Sequence, residues 1–531
     1  MRALALESQI AQITRLIAQQ NYRVRVIMNS DSAEAAARHS EGTEEPDMQR
    51  AAFAKSHRRI GERFLISVWV TGCLGWLGTA AESLAQTSSP PQTTGATLNS
   101  QILPSSREEI ADDDRVYWTL KKFPSQQYMR EIYWQHPKDA PAFFRDSMLQ
   151  FVARSYYMTR DNFDASRSQA WAGGGWVAFR SGLIADMFGV HTAYYTSQPL
   201  FAPADESGTK LLNPEQNTLG MLGQIYGRAQ VRDQEFRGGR QLIDTPLINA
   251  QDSRMVPNTF EGTTIVSLPH KDRNYDYAIG YLWDVKERDS NDFISMSDAL
   301  AGGNTVDRGA AFGMIKYRPF SGLSTILMGY YVQDFLNARF AQAEYDFQQP
   351  KKVPNWIIGA NVIEQRSVGS DLLIGNSFQT YQASAKLAMK YAGWTFFVAG
   401  SITGEGSNIF SPFGTKPNYT DMQQVSFDNA GERAIGGSIE YDFSARGLSG
   451  VTVGAWYTHG WDAIDPANNL SIPNRGELDV WMQYRPTEGP LKGVRVKTQY
   501  SNLWQQGNVR DTQPEFRFIV DYTVLFRPPL Q

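Results

Sequence analysis

From residue 146 to residue 526 apolar and polar positions alternate, in segments of about ten residues separated by Gly, Pro, Asn and Asp. Alternation at period two sets successive side chains on opposite faces, so each segment predicts a strand with one apolar and one polar face. The segments run over 146–158, 170–182, 184–196, 218–232, 235–241, 259–270, 274–288, 307–319, 323–334, 337–348, 354–366, 376–391, 394–404, 431–445, 450–460, 475–486, 492–505 and 514–526. They predict an all-β fold of about eighteen strands. The last is the clearest. In FRFIVDYTVLF (516–526), Phe516, Phe518, Val520, Tyr522, Val524 and Phe526 form one unbroken apolar face, opposite Arg517, Asp521 and Thr523. In VRVKTQY (494–500), Val494, Val496, Thr498 and Tyr500 oppose Arg495, Lys497 and Gln499.

A soluble sandwich would bury the apolar faces in a core. A membrane barrel would turn them to lipid and line a water-filled lumen with the polar ones. The connections choose between the two. Those after odd-numbered strands tend to be long, at 197–217, 242–258, 289–306, 405–430 and 461–474. Those after even-numbered strands are short, as in KDRN (271–274), PFSG (319–322), YAGW (391–394) and ARGLSG (445–450). Long loops on one rim and tight turns on the other predict a transmembrane antiparallel β-barrel. GGG (173–175), inside the second strand, reads as a bend or close approach rather than a phosphate loop.

Net charge is −4 over 531 residues, which argues against nucleic acid as a partner. Beyond residues 64–80 no apolar run approaches the roughly 20 residues that a spanning helix needs. That run, FLISVWVTGCLGWLGTA, follows the basic KSHRRIGER (55–63) and precedes AESLAQ, so the three read as a secretory signal peptide cleaved after Ala85. Its position more than fifty residues into the chain suggests a misassigned start, with Met48 the true one. The single cysteine, Cys73, lies in this leader, and the apolar LGWLG after it argues against lipidation. The mature chain then has no disulfide. The expected organisation is a leader (1–85), a periplasmic N-terminal segment (86–145) and the barrel (146–531).

Five stretches carry a family resemblance: DSMLQFVARSYYMTRDNF (146–163), DSRMVPNTFEGTTI (252–265), DNAGERAIGGSIEYDF (428–443), GPLKGVRVKTQY (489–500) and PEFRFIVDYTVLF (514–526). They resemble, in that order, the first strand, the end of the third loop, the exit from the seventh, a segment with paired basic residues, and the closing strand of the OprD-like outer-membrane porins. The resemblance implies a monomeric eighteen-stranded barrel in the outer membrane of a Gram-negative bacterium. It also implies long extracellular loops folding into the lumen, the third and seventh making a constriction, and a ladder of lumenal Arg and Lys guiding carboxylates. Carried onto this sequence, the ladder falls on Arg160, Arg495 and Lys497, with Arg475 and Arg167 nearby. The constriction falls on Arg240, Asp244, Asp252 and Arg254, with Asp428 on the opposing wall. Two departures stand out: Lys497, where the family pair is more often Arg-Arg, lacks the bidentate fork of arginine, and RPPLQ extends past the usual terminal aromatic.

The expected function is a substrate-selective channel for passive uptake of small carboxylate-bearing solutes. A structural or adhesive barrel with a blocked lumen is the alternative, and single lumenal cations could simply pair with Glu477, Asp479 or Asp521. An enzyme is disfavoured, because of the six histidines His191 and His459 sit on predicted strands without a nearby Ser/Asp arrangement, and no GxSxG, HExxH or P-loop pattern occurs. The expected partners are solutes, outer-membrane lipid and lipopolysaccharide, and the barrel-assembly machinery, with no cofactor and no metal.

Overall fold

The computed structural model describes residues 128–529, apart from 138, 269–272, 302–305 and 351. The leader, its cleavage site, the start codon and the segment up to residue 127 lie outside the described residues. Eighteen antiparallel strands form one sheet closed on itself. They are β1 (Met148–Asp161), β2 (Arg167–Arg180), β3 (Phe188–Phe201), β4 (Leu219–Val231), β5 (Gln234–Gln241), β6 (Thr259–Ser267), β7 (Tyr275–Lys286), β8 (Ala310–Tyr317) and β9 (Leu323–Val332). The second half comprises β10 (Leu336–Asp346), β11 (Asn355–Ser367), β12 (Gln379–Tyr391), β13 (Trp394–Thr403), β14 (Arg433–Asp442), β15 (Val451–Trp461), β16 (Arg475–Tyr484), β17 (Val494–Gln505) and β18 (Thr512–Arg527). The closing strand β18 sets Val520 opposite Val496 of β17 on one side and Ser155 of β1 on the other. Closure gives each of the eighteen strands a partner on both sides.

Each segment that alternates in sequence is a strand. The largest displacement is in β3, which runs to Phe201 rather than 196. The rims divide as expected, with one difference: on the loop rim the connections 162–166, 333–335 and 506–511 are short. Among the described residues no helix is long and apolar enough to cross a membrane.

Parity holds around the barrel. Outward positions such as Leu387, Val398, Ile435, Val480, Phe516 and Phe518 are exposed apolar side chains, as a lipid-facing surface requires. Inward positions are mostly buried, some polar, as Lys386, Arg517 and Asp521, and some apolar, as Phe397, Ala399 and Ala434. On the turn rim outward aromatics gather: Trp394 packs on Tyr441 at 4.5 Å and Tyr345 on Phe347 at 4.8 Å. Amphipathic rings belong at that level of a bilayer. The GGG run serves close approach, since a Cβ on Gly174 would meet the Thr196 carbonyl oxygen at 2.2 Å.

The lumen is partly filled by two loops, 242–258 and 404–432. Met255 and Val256 of the first join a buried cluster with Val152, Tyr156, Trp176 and Tyr195 of the wall. Phe413 of the second packs in a cluster with Phe312, Phe335 and Phe340.

Candidate channel lining

Arg154 of β1 lies near the centre of the lumenal wall. Its Nη1 donates to Asp252 at 2.6 Å and to the Arg254 carbonyl at 2.5 Å, while its Nε donates to Asp521 at 2.8 Å. Its guanidinium also sits 5.1 Å from the Trp176 ring centre. One buried arginine therefore ties the loop 242–258 to the first and last strands. Arg495 of β17 donates to the other oxygen of Asp521. With Tyr128, Trp176, Arg485 and their neighbours, these groups enclose a cavity of about 20 Å³, roughly the room for one water.

The sequence-derived candidates divide into three groups. Arg160 and Arg475 face inward but are partnered. Arg160 reaches Glu515 at 3.5 Å and Asn162 at 2.8 Å, and Arg475 grips Glu432 with two bonds of 2.8 and 2.6 Å. Arg167 and Arg240 are not brought to this group. Arg167 pairs with Asp161 at the loop rim with the parity of outward-facing Trp171. Arg240 shares the parity of outward-facing Phe236, pairs with Glu261 at 2.9 Å and lies under the Phe293 ring. Arg254 and Lys497 form the third group. Buried Arg254 donates to the carbonyls of Thr209 and Ser253, at 2.7 and 2.9 Å, with no carboxylate in an ion pair. Burial, with Arg517 and Arg288 nearby, lowers its pKa to about 9, so it remains charged at neutral pH. Arg288, which sequence reasoning did not single out, donates to Ser253 Oγ, again without a carboxylate partner. Lys497 has neither a hydrogen bond nor an ion pair among the described residues.

The loop 404–432 crosses the lumen. Asn249 of the other loop donates to Thr415 O at 2.7 Å and accepts from Thr415 N at 3.1 Å, so the two loops are bonded to each other. Beyond that contact, Gln424 N and Val425 N donate to Glu477 at 2.8 and 3.1 Å, and Gln423 N donates to Asp479 at 3.1 Å. Two of the acids expected to neutralise wall cations, Glu477 and Asp479, thus hold loop backbone instead, while the third, Asp521, does pair with Arg154 and Arg495. Asp428 accepts from Lys416 within the same loop, and Asp244 makes a backbone bridge with Asn249. Arg154, the most heavily bonded of these cations, was also missed in sequence. Its parity with Arg160 along VARSYYMTR was the available signal.

Comparison with known proteins fits this architecture. The porin-like protein GalP of Pseudomonas putida is 24% identical over 398 residues, covering 72% of this chain and 93% of GalP. Porin D of Pseudomonas aeruginosa is 23% identical over 431 residues, again 72% of this chain and 92% of that protein. The structure of Pseudomonas aeruginosa OpdK with vanillate superposes with a TM-score of 0.64 at 23% identity, covering 72% of this chain and all of OpdK. Residues 141–526 match the family model described as outer membrane porin, OprD family, and the chain belongs to that family of outer-membrane porins.

Proposed function

We propose that this porin passes small carboxylate-bearing solutes, that the loops 242–258 and 404–432 narrow its lumen, and that cations without a carboxylate partner guide the anion. The observation that carries this reading is the division among the cations. Arg154, Arg160, Arg475 and Arg495 each contact a carboxylate, whereas Arg254, Arg288 and Lys497 do not. A fixed cation with no carboxylate in a low-dielectric passage attracts a mobile anion, because field lines focus there. The remaining candidates, Arg167, Arg240, Asp244, Asp252 and Asp428, take holding roles under this reading, on the rim or within the loops.

The test is the reversal potential across a planar bilayer under a potassium acetate gradient, then under a potassium vanillate gradient. Carboxylate selectivity predicts a shift toward the anion's equilibrium potential. The bonds that tie loops 242–258 and 404–432 to the wall and to each other also favour the alternative of a blocked structural barrel. Folded protein that inserts yet conducts nothing would establish that alternative.

A further inference from the structure

The family match begins at residue 141, yet the described chain begins earlier, at Tyr128. What precedes the matched region is docked against the barrel. Residues Arg130–Tyr133 form a short strand parallel to the end of β18, with Arg130 opposite Val524 and Tyr133 opposite Arg527. They fill a specific gap. The ladder of β17 on β18 stops at Val494 opposite Tyr522, which leaves the last turn-rim residues of β18 with an open edge on that side. An open edge is a template for one more strand. The docking extends to side chains: Arg527 pairs with Glu131 at 2.9 Å, Arg130 donates to Pro490 O at 3.2 Å, and Trp134 N donates to Arg527 O at 3.1 Å.

The polarity of this pairing aims the segment inward. Because β18 descends toward the periplasmic rim, a parallel partner has its N-terminal end uppermost, and among the described residues of the segment Tyr128 and Met129 lie furthest up. Met129 is buried in the cluster of Val152, Tyr156 and Trp176, and its sulfur accepts from Gln150 at 3.7 Å. The Tyr128 ring lies 3.9 Å from the Arg485 guanidinium and borders the same small cavity as Arg154, Arg495 and Asp521.

We infer that Tyr128 and Met129, supplied from in front of the family's barrel, form the periplasmic wall of the pore's narrow point and set the size of solute that passes. This rests on the channel reading, and the test separates the two. Single-channel conductance in potassium chloride, and swelling of liposomes in sodium acetate and in the bulkier sodium gluconate, would be compared between wild type and the Tyr128→Ala and Tyr128→Ala/Met129→Ala variants. Heat-modifiable migration would confirm that each barrel is folded. The single variant leaves the strand pairing and the Glu131–Arg527 pair in place, so it reports on the wall even if the double variant assembles poorly.

The expected result is a severalfold rise in conductance and new entry of gluconate, with acetate entry changed less. Folded variants with wild-type conductance and wild-type exclusion of gluconate would overturn the inference while leaving the channel reading intact. A silent wild type opened by the variants would support it in the stronger form of a plug. Silence in wild type and variants alike would overturn both readings.

Discussion

Arg154 and Asp252, on the first strand and in the inward-folded loop 242–258, are joined by two hydrogen bonds of 2.6 and 3.1 Å, both side chains almost wholly buried. Removing one member of a buried pair strands the other charge, which typically costs about 3–5 kcal/mol. Asp252→Asn leaves Arg154 still paired with Asp521, so it should lower stability by less than that in urea unfolding from lipid vesicles, and it should add open-channel noise as the loop loosens. Unchanged stability would show that the carbonyl of Arg254 and Asp521 suffice to hold the guanidinium.

Lys497→Gln and Arg254→Gln should behave differently from Arg495→Gln. The first two remove a cation without orphaning a carboxylate, so ion selectivity should move toward cations with little loss of stability. Arg495→Gln deprives Asp521 of one of its two partners and should cost stability as well. Reversal potentials and urea midpoints measured on the three variants check this. The selectivity change should weaken as salt rises, since the screening length falls from about 10 Å at 0.1 M to about 3 Å at 1 M. Equal behaviour of all three would remove the distinction between cations with and without a carboxylate partner.

Asp421, in the loop 404–432, accepts from Asn418 Nδ2 at 3.0 Å. Burial pushes its carboxyl up to about 7, with nearby Lys416 opposing the shift and Asp428 reinforcing it. The folded loop then holds a proton that an unfolded aspartate releases near pH 4. Stability from this site is complete below that range and declines as pH rises, reaching its floor above about 7. Loop-dependent channel noise should be lower at pH 5 than at pH 8, and Asp421→Asn should flatten the dependence. A variant with the wild-type pH profile would place the titration elsewhere.

Val520→Arg puts a charge on the lipid face of β18 and should cost about 2–4 kcal/mol if it reaches the bilayer midplane. Ser438→Arg, on the inward face of β14 two residues from Glu440, should cost much less. Unfolding free energies from vesicles test the pair, and equal penalties would contradict the assignment of faces.

The strands, their faces and the sorting of connections between two rims were legible in the sequence, because a strand's period of two is local covalent geometry and each face meets one solvent. Phe516 to Phe526 along β18 shows how far that reaches: of the six residues assigned outward, Phe516, Phe518, Val520, Tyr522 and Phe526 are exposed or half-buried, and Val524 alone is buried, where the strand 130–133 pairs beside it. Parity also turned Arg495, Lys497 and Arg160 inward. It could not say which of them would remain without a carboxylate. That depends on register and loop placement: Arg495 finds Asp521 because the two stand opposite each other on paired strands, and Glu477 is occupied by the backbone of a loop that crosses the lumen. Nor could the local pattern reveal that Arg154 would hold Asp252, some hundred residues away in sequence. The segment 130–133 marks the same limit. Its four residues show no long alternation, and their strand exists only because β17 ends before β18 does and leaves an edge to be filled. Which surfaces face lipid is a local matter. Which charges find a carboxylate, and which loops meet inside the barrel, follow from contacts between distant parts of the chain that only the closed barrel brings together.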